Sequence, residues 1–294
     1  MRRWLVAMNA QAGSRAVAPT KVRSALDSAG IEYSLEAPAT PEEMRAVISS
    51  HLDAGGTHLA VVGGDGTANL AVNALLQRDI GERPVLGILP AGTGCDLLRT
   101  FGLPQDLHSA ATHLAGDNVY AIDVAYLDGG WGRHHFVNVA QAGVGAAAAE
   151  SATKFSRRMG AGRYPLAFLQ RLPRFPRAEI KLTTERRTIE SEALAVIFAN
   201  AQFFAGGWNV APRATLIDGL LDIQVINTAK TRAPALVPKI VRGTHLTDRA
   251  VRRISAAEFD LTTSASWPVE ADGDLLGNTS VAGRVIPAAI NLKI

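Results

Sequence analysis

Short apolar runs alternate with longer amphipathic segments along the first part of the chain. The runs indicate β-strands, and the segments between them carry apolar residues at helical spacing. One run and one segment together take roughly 25 to 30 residues, the length of a β-α unit. The pattern therefore predicts a parallel sheet with helices on both faces. Its strands are RWLVAMN, IEYSLEA, THLAVVG and PVLGILP.

The pattern changes after residue 123. From there on, strand-like runs are separated by Gly, Pro, Asp and Asn residues, which mark turns, and few stretches show helical spacing. We therefore expect a second, mainly antiparallel β domain over residues 124–283. The first domain, of α/β type, then covers residues 1–123, and the chain returns to it at about residues 284–294.

Composition narrows the class of protein. Of the 294 residues 47% are hydrophobic, enough for sizeable cores, and a net charge of +3 is too small to indicate nucleic-acid binding. A single cysteine, Cys95, excludes a disulfide within the chain, and the first residues lack a signal-peptide core. The most apolar later segment is interrupted by Asn200 and Gln202, so no transmembrane helix is predicted. We expect a cytoplasmic protein.

A glycine-rich loop, VVGGDGTANLAVNALL, lies where a predicted strand is followed by a predicted helix. The backbone N–H groups of Gly63, Gly64 and Gly66 and the helix dipole can face a phosphate oxygen without a Cβ in the way. Thr67 can cap the helix or donate its hydroxyl to the phosphate. A tight turn selected for packing is the alternative, since the loop matches neither a Walker loop nor GxGxxG.

A second glycine loop follows the next predicted strand, and two such loops favour a phosphate site. Along the chain the motifs are NAQAG, GGDGT, GTGCDLLRTFGLP, NAQFFAGGWNVAPRATLIDGLLD and EADGDLLG. In this order and spacing they resemble the diacylglycerol kinase catalytic domain family, especially its soluble bacterial lipid kinases. NAD kinases share GGDGT, but the later blocks fit the lipid kinases better.

The resemblance implies a Rossmann-like three-layer α/β domain, of the NAD kinase and diacylglycerol kinase type, and a C-terminal antiparallel β-sandwich domain. It also implies ATP as phosphate donor and an active site in the cleft between the domains. For Thr40, capping of the next helix is an equally open role. The implied nucleotide-binding residues are Asn9, Thr40, Gly63, Gly64, Asp65, Gly66, Thr67, Asn69, Gly92 and Thr93.

Asp65 and Asp274 are the implied catalytic carboxylates. Asp65 is expected to order Mg²⁺ or water beside the γ-phosphate, while a turn residue bonded to its own backbone is the alternative. Asp274 stands where the family has its glutamate base, so it is expected to remove the proton of the acceptor hydroxyl. An exposed hairpin-turn aspartate is its alternative role. Asp272 and Glu270 are the fallback candidates for the base.

The block RATLIDGLLD resembles the family's Mg²⁺ site. It implies the Asp218 carboxylate and the backbone carbonyls of Thr215 and Leu220 as ligands, an oxygen set that hard cations prefer. An Asp-Gly turn without metal is the alternative. Cys95 departs from the family, which usually has Asn there, and a thiol cannot replace the donors and the acceptor of an amide. The departure predicts a changed loop geometry or substrate preference.

Residues 151–178 combine seven cations with interleaved apolar side chains and contain no acid. The combination predicts contact with an anionic membrane surface, and a core helix with a solvated basic face is the alternative. The cations are Lys154, Arg157, Arg158, Arg163, Arg171, Arg174 and Arg177.

The predicted function is ATP- and Mg²⁺-dependent phosphorylation of a lipid alcohol, with diacylglycerol as the first acceptor and phosphatidic acid, a phospholipid precursor, as product. The enzyme would work in the cytoplasm or at the inner face of the membrane, and edge strands of its β-rich domain would allow a homodimer. Soluble NAD phosphorylation and a nucleotide- or lipid-binding module without catalysis are the alternatives.

Overall fold

The computed structural model describes residues 3–9, 17–77, 84–91, 95–156, 159 and 162–294. The helices are α1 (Pro19–Ser28), α2 (Pro41–Asp53), α3 (Asp65–Leu76), α4 (Asp96–Thr100), α5 (Leu107–Ala115), α6 (Val144–Ala152), α7 (Arg163–Arg171) and α8 (Ala233–Val241). The strands are β1 (Arg3–Met8), β2 (Glu32–Glu36), β3 (His58–Gly63), β4 (Val85–Pro90), β5 (Val119–Gly129), β6 (Gly132–Phe136), β7 (Val139–Gly143), β8 (Ala178–Thr184), β9 (Thr188–Ala193), β10 (Ala195–Ala199), β11 (Phe203–Phe204), β12 (Trp208–Asn209), β13 (Leu221–Ile226), β14 (Val251–Ala256), β15 (Glu258–Thr263), β16 (Pro268–Ala271), β17 (Asp274–Asn278) and β18 (Val281–Lys293).

The chain divides into two compact units, one formed by Met1–Ile122 with Ala288–Ile294 and the other by Asp123–Pro287. The first unit contains a parallel sheet in the order β2-β1-β3-β4-β18. Only the end of β18 belongs to it, where Asn291 and Leu292 pair with β4. Parallel strands place all their carboxyl ends at one edge of the sheet, which is the edge where ligands of such sheets bind.

Helices cover both faces of the parallel sheet. Successive side chains of a strand point to opposite faces, and in β1 both sets are buried. Trp4, Val6 and Met8 share a core with α1 and α5, while α2 and α3 pack together over β1 and β3. Burial on both faces explains why these strands are almost continuously apolar. The first unit therefore has the predicted three-layer α/β architecture.

The second unit is a sandwich of two antiparallel sheets. One sheet has the order β14-β13-β10-β7-β16-β17, and the other contains β18, β15, β8 and β9 with β5 and β6 alongside. Phe198 of the first sheet stacks on Phe259 of the second, with ring centroids 3.9 Å apart and planes 5° apart. Both side chains are buried in one continuous core. The predicted β-sandwich is thus confirmed.

Candidate active site

The glycine-rich loop joins β3 to α3 at the carboxyl edge of the parallel sheet. A Cβ on Gly63 would lie 2.3 Å from the Thr67 hydroxyl oxygen, so the loop requires glycine there. α3 begins at Asp65, and the first N–H groups of a helix point out of its N-terminal end. The Asn9 side chain at the end of β1 donates to the Thr67 hydroxyl oxygen at 3.2 Å. Two predicted nucleotide contacts, 58 residues apart, therefore meet at this loop.

Other predicted nucleotide contacts differ in their surroundings. Gly64 is the N-cap residue of α3, and a Cβ on Gly66 would meet no atom within 4 Å. Asn69 is buried, and the side-chain amide of Asn73, one turn later, donates to its backbone carbonyl at 3.0 Å and to its side-chain oxygen. Asn69 thus contributes to the helix itself. Gly92 and Thr93 lie outside the described residues.

Thr40 lies between β2 and α2 and caps α2. Its hydroxyl oxygen accepts the N–H of Glu43 at 3.1 Å, and the Glu43 carboxylate accepts the N–H of Ala39 at 2.7 Å. Pro41 at the first helical position completes a reciprocal N-terminal cap. The capping role is therefore present, and because a hydroxyl can also donate, the predicted nucleotide contact stays compatible with it.

Asp65 connects the glycine-rich loop to the segment that follows β4. One of its carboxylate oxygens accepts the N–H groups of Asp96 at 2.8 Å and Leu97 at 3.2 Å, which begin α4. The same oxygen accepts the Cys95 thiol at 3.2 Å. Burial and the nearby Asp65 charge raise the pKa of Cys95 well above its usual value, so the thiol is neutral and donates. The carboxylate thereby holds Cys95 and the start of α4 beside the glycine-rich loop.

The hairpin formed by β16 and β17 contains the predicted base, Asp274, and its fallbacks, Asp272 and Glu270. Asp272 has a positive φ of 48°, and its carboxylate accepts the N–H groups of Val137 at 2.7 Å and of Asn138 and Val139 at 3.0 Å. These bonds tie the turn to the segment before β7. Asp272 therefore builds the turn, and its carboxylate is committed to backbone donors.

Asp274, the predicted base, has a largely exposed side chain. It is 68% exposed, and its carboxylate lies 3.8 Å from the Nε2 atom of His134 on β6. Burial lowers the pKa of His134, and the Asp274 charge opposes that shift. His134 is therefore mostly neutral near pH 7, and it leaves Asp274 as an accessible carboxylate that can accept a proton.

Glu270, two residues before that turn, has the opposite environment. Its side chain is fully buried; one oxygen accepts the Gln141 amide at 2.8 Å and the other accepts the N–H of Gly273. Burial raises the pKa of Glu270 to about 8, assisted by the charges of Asp272 and Asp274. A group without solvent access cannot reach a substrate hydroxyl, so Glu270 suits a supporting role.

The predicted metal loop is rich in oxygen atoms. Asp218 is exposed and accepts the N–H of Leu220 at 3.0 Å, while Thr215 and Leu220 are half-buried. Asp123, which the sequence did not single out, is buried and accepts the N–H of Gly219 at 2.7 Å. Among the described residues no cluster of three His, Cys, Asp or Glu side chains could hold a metal. One carboxylate with backbone carbonyls still fits a hard cation.

An apolar cavity of about 100 Å³ lies in the second unit, against the sheet that contains β7 and β10. Tyr164 borders it and makes edge contacts with Phe204 and Trp208, at ring distances of 5.5 and 5.9 Å. The rest of the wall comes mainly from helices α6, α7 and α8, and Gln141 is one of its few polar members. A cavity of this kind suits hydrocarbon.

The basic segment 151–178 divides between two kinds of surroundings. Arg171 pairs with Glu150 at 2.7 Å and Arg177 with Glu192 at 2.9 Å, so these two cations are engaged on the protein itself. Met159, Leu166 and Leu169 are 44%, 44% and 51% exposed. Lys154 and Arg174 are exposed and Arg163 is half-buried, whereas Arg157 and Arg158 lie outside the described residues. The described part therefore combines exposed apolar and basic side chains.

Comparisons with known proteins come from family models and from individual relatives. Residues 138–294 match the YegS C-terminal NAD kinase beta sandwich-like domain, and residues 3–127 match the diacylglycerol kinase catalytic domain. Two relatives are called "Probable lipid kinase YegS-like". The one from Enterobacter sp. (strain 638) is 26% identical, over 79% of this chain and 76% of its own length. The one from Yersinia pestis (strain Pestoides F) is 28% identical, over 79% and 77%.

The solved structures agree in fold. A putative diacylglycerol kinase from Bacillus anthracis str. Sterne superposes with a TM-score of 0.81 over 99% of this chain and 96% of its own, at 23% identity. A second structure described in the same words gives a TM-score of 0.80 at 22% identity.

No helix among the described residues is long and apolar enough to span a membrane.

Proposed function

Because the chain belongs to the YegS-type family of bacterial lipid kinases, we propose that it transfers the γ-phosphate of ATP to a lipid hydroxyl and that diacylglycerol is the acceptor. The observation that carries the choice of a lipid is the apolar cavity beside Gln141. A hydrocarbon chain gains free energy by entering such a cavity, whereas the polar groups of NAD would lose hydrogen bonds there.

The α/β unit has the features expected of a nucleotide-binding site. The start of α3 offers backbone N–H groups and the positive end of a helix dipole to the phosphates of ATP. Thr67, held by Asn9, lies on the first turn of that helix and can donate its hydroxyl. Asp65 keeps the start of α4 next to the glycine-rich loop. Phosphoryl transfer needs mainly such charge stabilisation and alignment.

Asp274 is the proposed base. As the lipid oxygen bonds to the γ-phosphorus, the bond from that phosphorus to the bridging oxygen breaks, ADP leaves, and the hydroxyl proton moves to the Asp274 carboxylate. Its exposure makes the carboxylate accessible to a substrate. Asp218, with the carbonyls of Thr215 and Leu220, would hold the proposed Mg²⁺, which stabilises negative charge and loop structure when bound.

A phosphorylation assay with a panel of acceptors tests the proposal. Radiolabelled ATP and Mg²⁺ are offered with mixed micelles of diacylglycerol, phosphatidylglycerol or sphingosine, and separately with NAD in the absence of detergent. We expect label in diacylglycerol. Label in another lipid alone would show that this lipid, and not diacylglycerol, is the acceptor. Label in NAD alone would contradict the proposed phosphorylation of a lipid. ATP binding without transfer to any acceptor would favour a binding module.

The exposed side chains of α7 support a second part of the proposal, contact with an anionic membrane. Leu166 and Leu169 can enter the interface while neighbouring cations bind headgroups. The double variant Leu166→Gln/Leu169→Gln should weaken sedimentation with vesicles containing phosphatidylglycerol, and Val119→Gln, an exposed position of the first unit, should not. Equal binding by both variants and the wild type would contradict the proposed surface.

A further inference from the structure

The apolar cavity ends at a buried polar pair. Gln141 of β7 and Glu270 of β16 are direct cross-strand partners in an antiparallel ladder, so their side chains lie on the same face of the sheet. Gln141 borders the cavity, and its amide nitrogen donates to Glu270 at 2.8 Å. Glu270 is fully buried. Burying a carboxyl group costs free energy that an apolar residue would avoid, so its presence calls for a role.

The carboxyl group of Glu270 has two neighbours of different kinds. One oxygen holds the amide of Gln141 at the cavity, and the other accepts the N–H of Gly273, the residue directly before Asp274. Gly273 has a positive φ of 97°, which favours glycine. One buried group thus fixes both the polar end of the cavity and the backbone that carries the proposed base.

We infer that Glu270 is a positioning residue for the lipid acceptor: through Gln141 it orients the polar end of the cavity, and through Gly273 it aligns the turn that presents Asp274. The inference rests on the proposed function, since it assigns the cavity to the acceptor. It goes beyond that function by naming the group that links acceptor binding to the base.

The orientation of Gln141 defines the kind of ligand that the cavity accepts. Because its amide nitrogen is committed to Glu270, its amide oxygen is the atom directed to the neighbouring helix α6. There Gly145 leaves room, since a Cβ on Gly145 would lie 2.0 Å from that oxygen. An amide oxygen accepts but cannot donate. The cavity should therefore prefer an amphiphile with a hydroxyl donor over the same chain without one.

The pH at which the Glu270 carboxyl group becomes charged depends on the groups that face it. The titratable groups that face it are Asp272 and Asp274 on its own hairpin and Tyr164 on α7, while His134 of β6 lies beside Asp274. Burial and the two aspartates raise the pKa of Glu270 to about 8. The carboxyl group therefore changes charge within the range in which a phosphorylation assay can be run.

Steady-state kinetics of the Glu270→Gln variant in the lipid phosphorylation assay, compared with those of the wild type, test the inference. The variant keeps the size of the side chain, but an amide has one oxygen in place of the two carboxylate oxygens, so it can accept from Gln141 or from Gly273 but not from both. We expect the KM for the lipid to rise about tenfold, the KM for ATP to stay constant, and the inflection near pH 8 in kcat/KM to disappear. Glu258→Gln, at a half-buried surface glutamate paired with Arg284, is the matched control.

Binding of 1-hexanol gives a readout that needs no catalysis. Hexanol is added to the full chain, and shifts of the methyl signals of Ala148 and Leu236, which line the cavity, are followed by NMR. Glu270→Gln should bind hexanol about fivefold more weakly, and 1-chlorohexane, which lacks the donor, equally well. Thermal unfolding of the variant verifies that it is folded.

The two tests separate the inference from the function on which it rests. Equal hexanol binding by the wild type and Glu270→Gln would overturn the positioning role, whether or not any lipid is phosphorylated. A preserved hexanol preference in a protein that phosphorylates no lipid would overturn the kinase proposal and still support the polar end of the cavity. A rise in both KM values with an unchanged pH profile would indicate general damage and contradict the inference.

Discussion

The glycine-rich loop of the first unit and the 272–274 turn of the second use aspartate in the same way. In each, an aspartate accepts backbone N–H groups from a distant segment: Asp65 holds the start of α4 and Asp272 holds the segment before β7. The two regions differ in the secondary structure that each leads into. A twelve-residue helix begins at Asp65, whereas a strand begins at Asp274.

This difference separates two kinds of chemistry. A helix start supplies N–H donors and a positive dipole end, which suit an anion such as phosphate. A turn between antiparallel strands supplies no such donors and leaves the Asp274 carboxylate in solvent, which suits proton removal. An Asp-Gly pair therefore begins a helix in the first unit and forms a hairpin turn in the second. The secondary structure that contains the pair indicates which kind of group the site can bind.

Replacing Asp274 gives the largest expected effect. Asp274→Asn removes the carboxylate that would accept the hydroxyl proton, so kcat for lipid phosphorylation should fall by about 10²- to 10⁴-fold. ATP binding should stay unchanged, because the glycine-rich loop is untouched. Asp260→Asn, at an exposed aspartate of β15, serves as control in the same radiolabel assay. An unchanged kcat in Asp274→Asn would contradict the proposal that the 272–274 turn supplies the base while the glycine-rich loop binds phosphate.

Replacing Asp272 should instead reduce stability. Asp272→Ala leaves three backbone N–H groups without their carboxylate, and the free energy of unfolding should fall by about 3 kcal/mol, as for lost hydrogen bonds to a charged group. Urea unfolding measures the change. Asp274→Ala is the paired variant and should unfold like the wild type. Equal stability of both variants would show that the turn does not depend on the carboxylate of Asp272.

Much of the fold could be predicted because its signals are local. Apolar strands and amphipathic helices repeat along the first unit, and the glycines that precede α3 are adjacent in sequence. The partners of the side chains are not local. Asp272 meets Val137 across 135 residues, and Asp123 meets Gly219 across 96. No spacing in one sequence encodes such pairs, so Asp123 was missed.

The cavity could not be predicted for the same reason. Its wall combines residues of β7, α6, α7 and α8, which are separated along the chain. One local signal existed: Gln141 is a polar residue within the buried strand VAQAG. A buried amide needs a hydrogen-bond partner. That partner is Glu270, which the sequence indicated only as a fallback for the base.

The free energy of unfolding should depend on pH through Glu270, the buried carboxyl group next to the 272–274 turn. Folding raises the pKa of Glu270 from 4.5 to about 8, so between these values the folded chain binds more protons than the unfolded chain. Stability therefore falls as pH rises through this window. Glu270 alone should cost the wild type about 2 kcal/mol between about pH 6 and pH 8. Urea unfolding at both pH values should show that loss in the wild type and its absence in Glu270→Gln; parallel losses in both would contradict the shift.

The smallest expected effect concerns Thr40, at the carboxyl edge of the parallel sheet. Thr40→Ala removes the N-cap of α2 and should lower the free energy of unfolding by about 1 kcal/mol. If Thr40 also contacts ATP, as predicted, the rise in Tm caused by ATP should shrink in the variant, because a weaker ligand stabilises the folded state less.

A matched cap separates those two contributions of Thr40. Asp106 caps α5 by accepting the N–H of Ser109 at 2.9 Å, and it is not among the predicted nucleotide contacts. Asp106→Ala should lose a similar amount of stability and keep the full ATP-induced rise in Tm. If Thr40→Ala behaves in the same way, Thr40 is only a helix cap, and the anion site narrows to the glycine-rich loop and the residues around it.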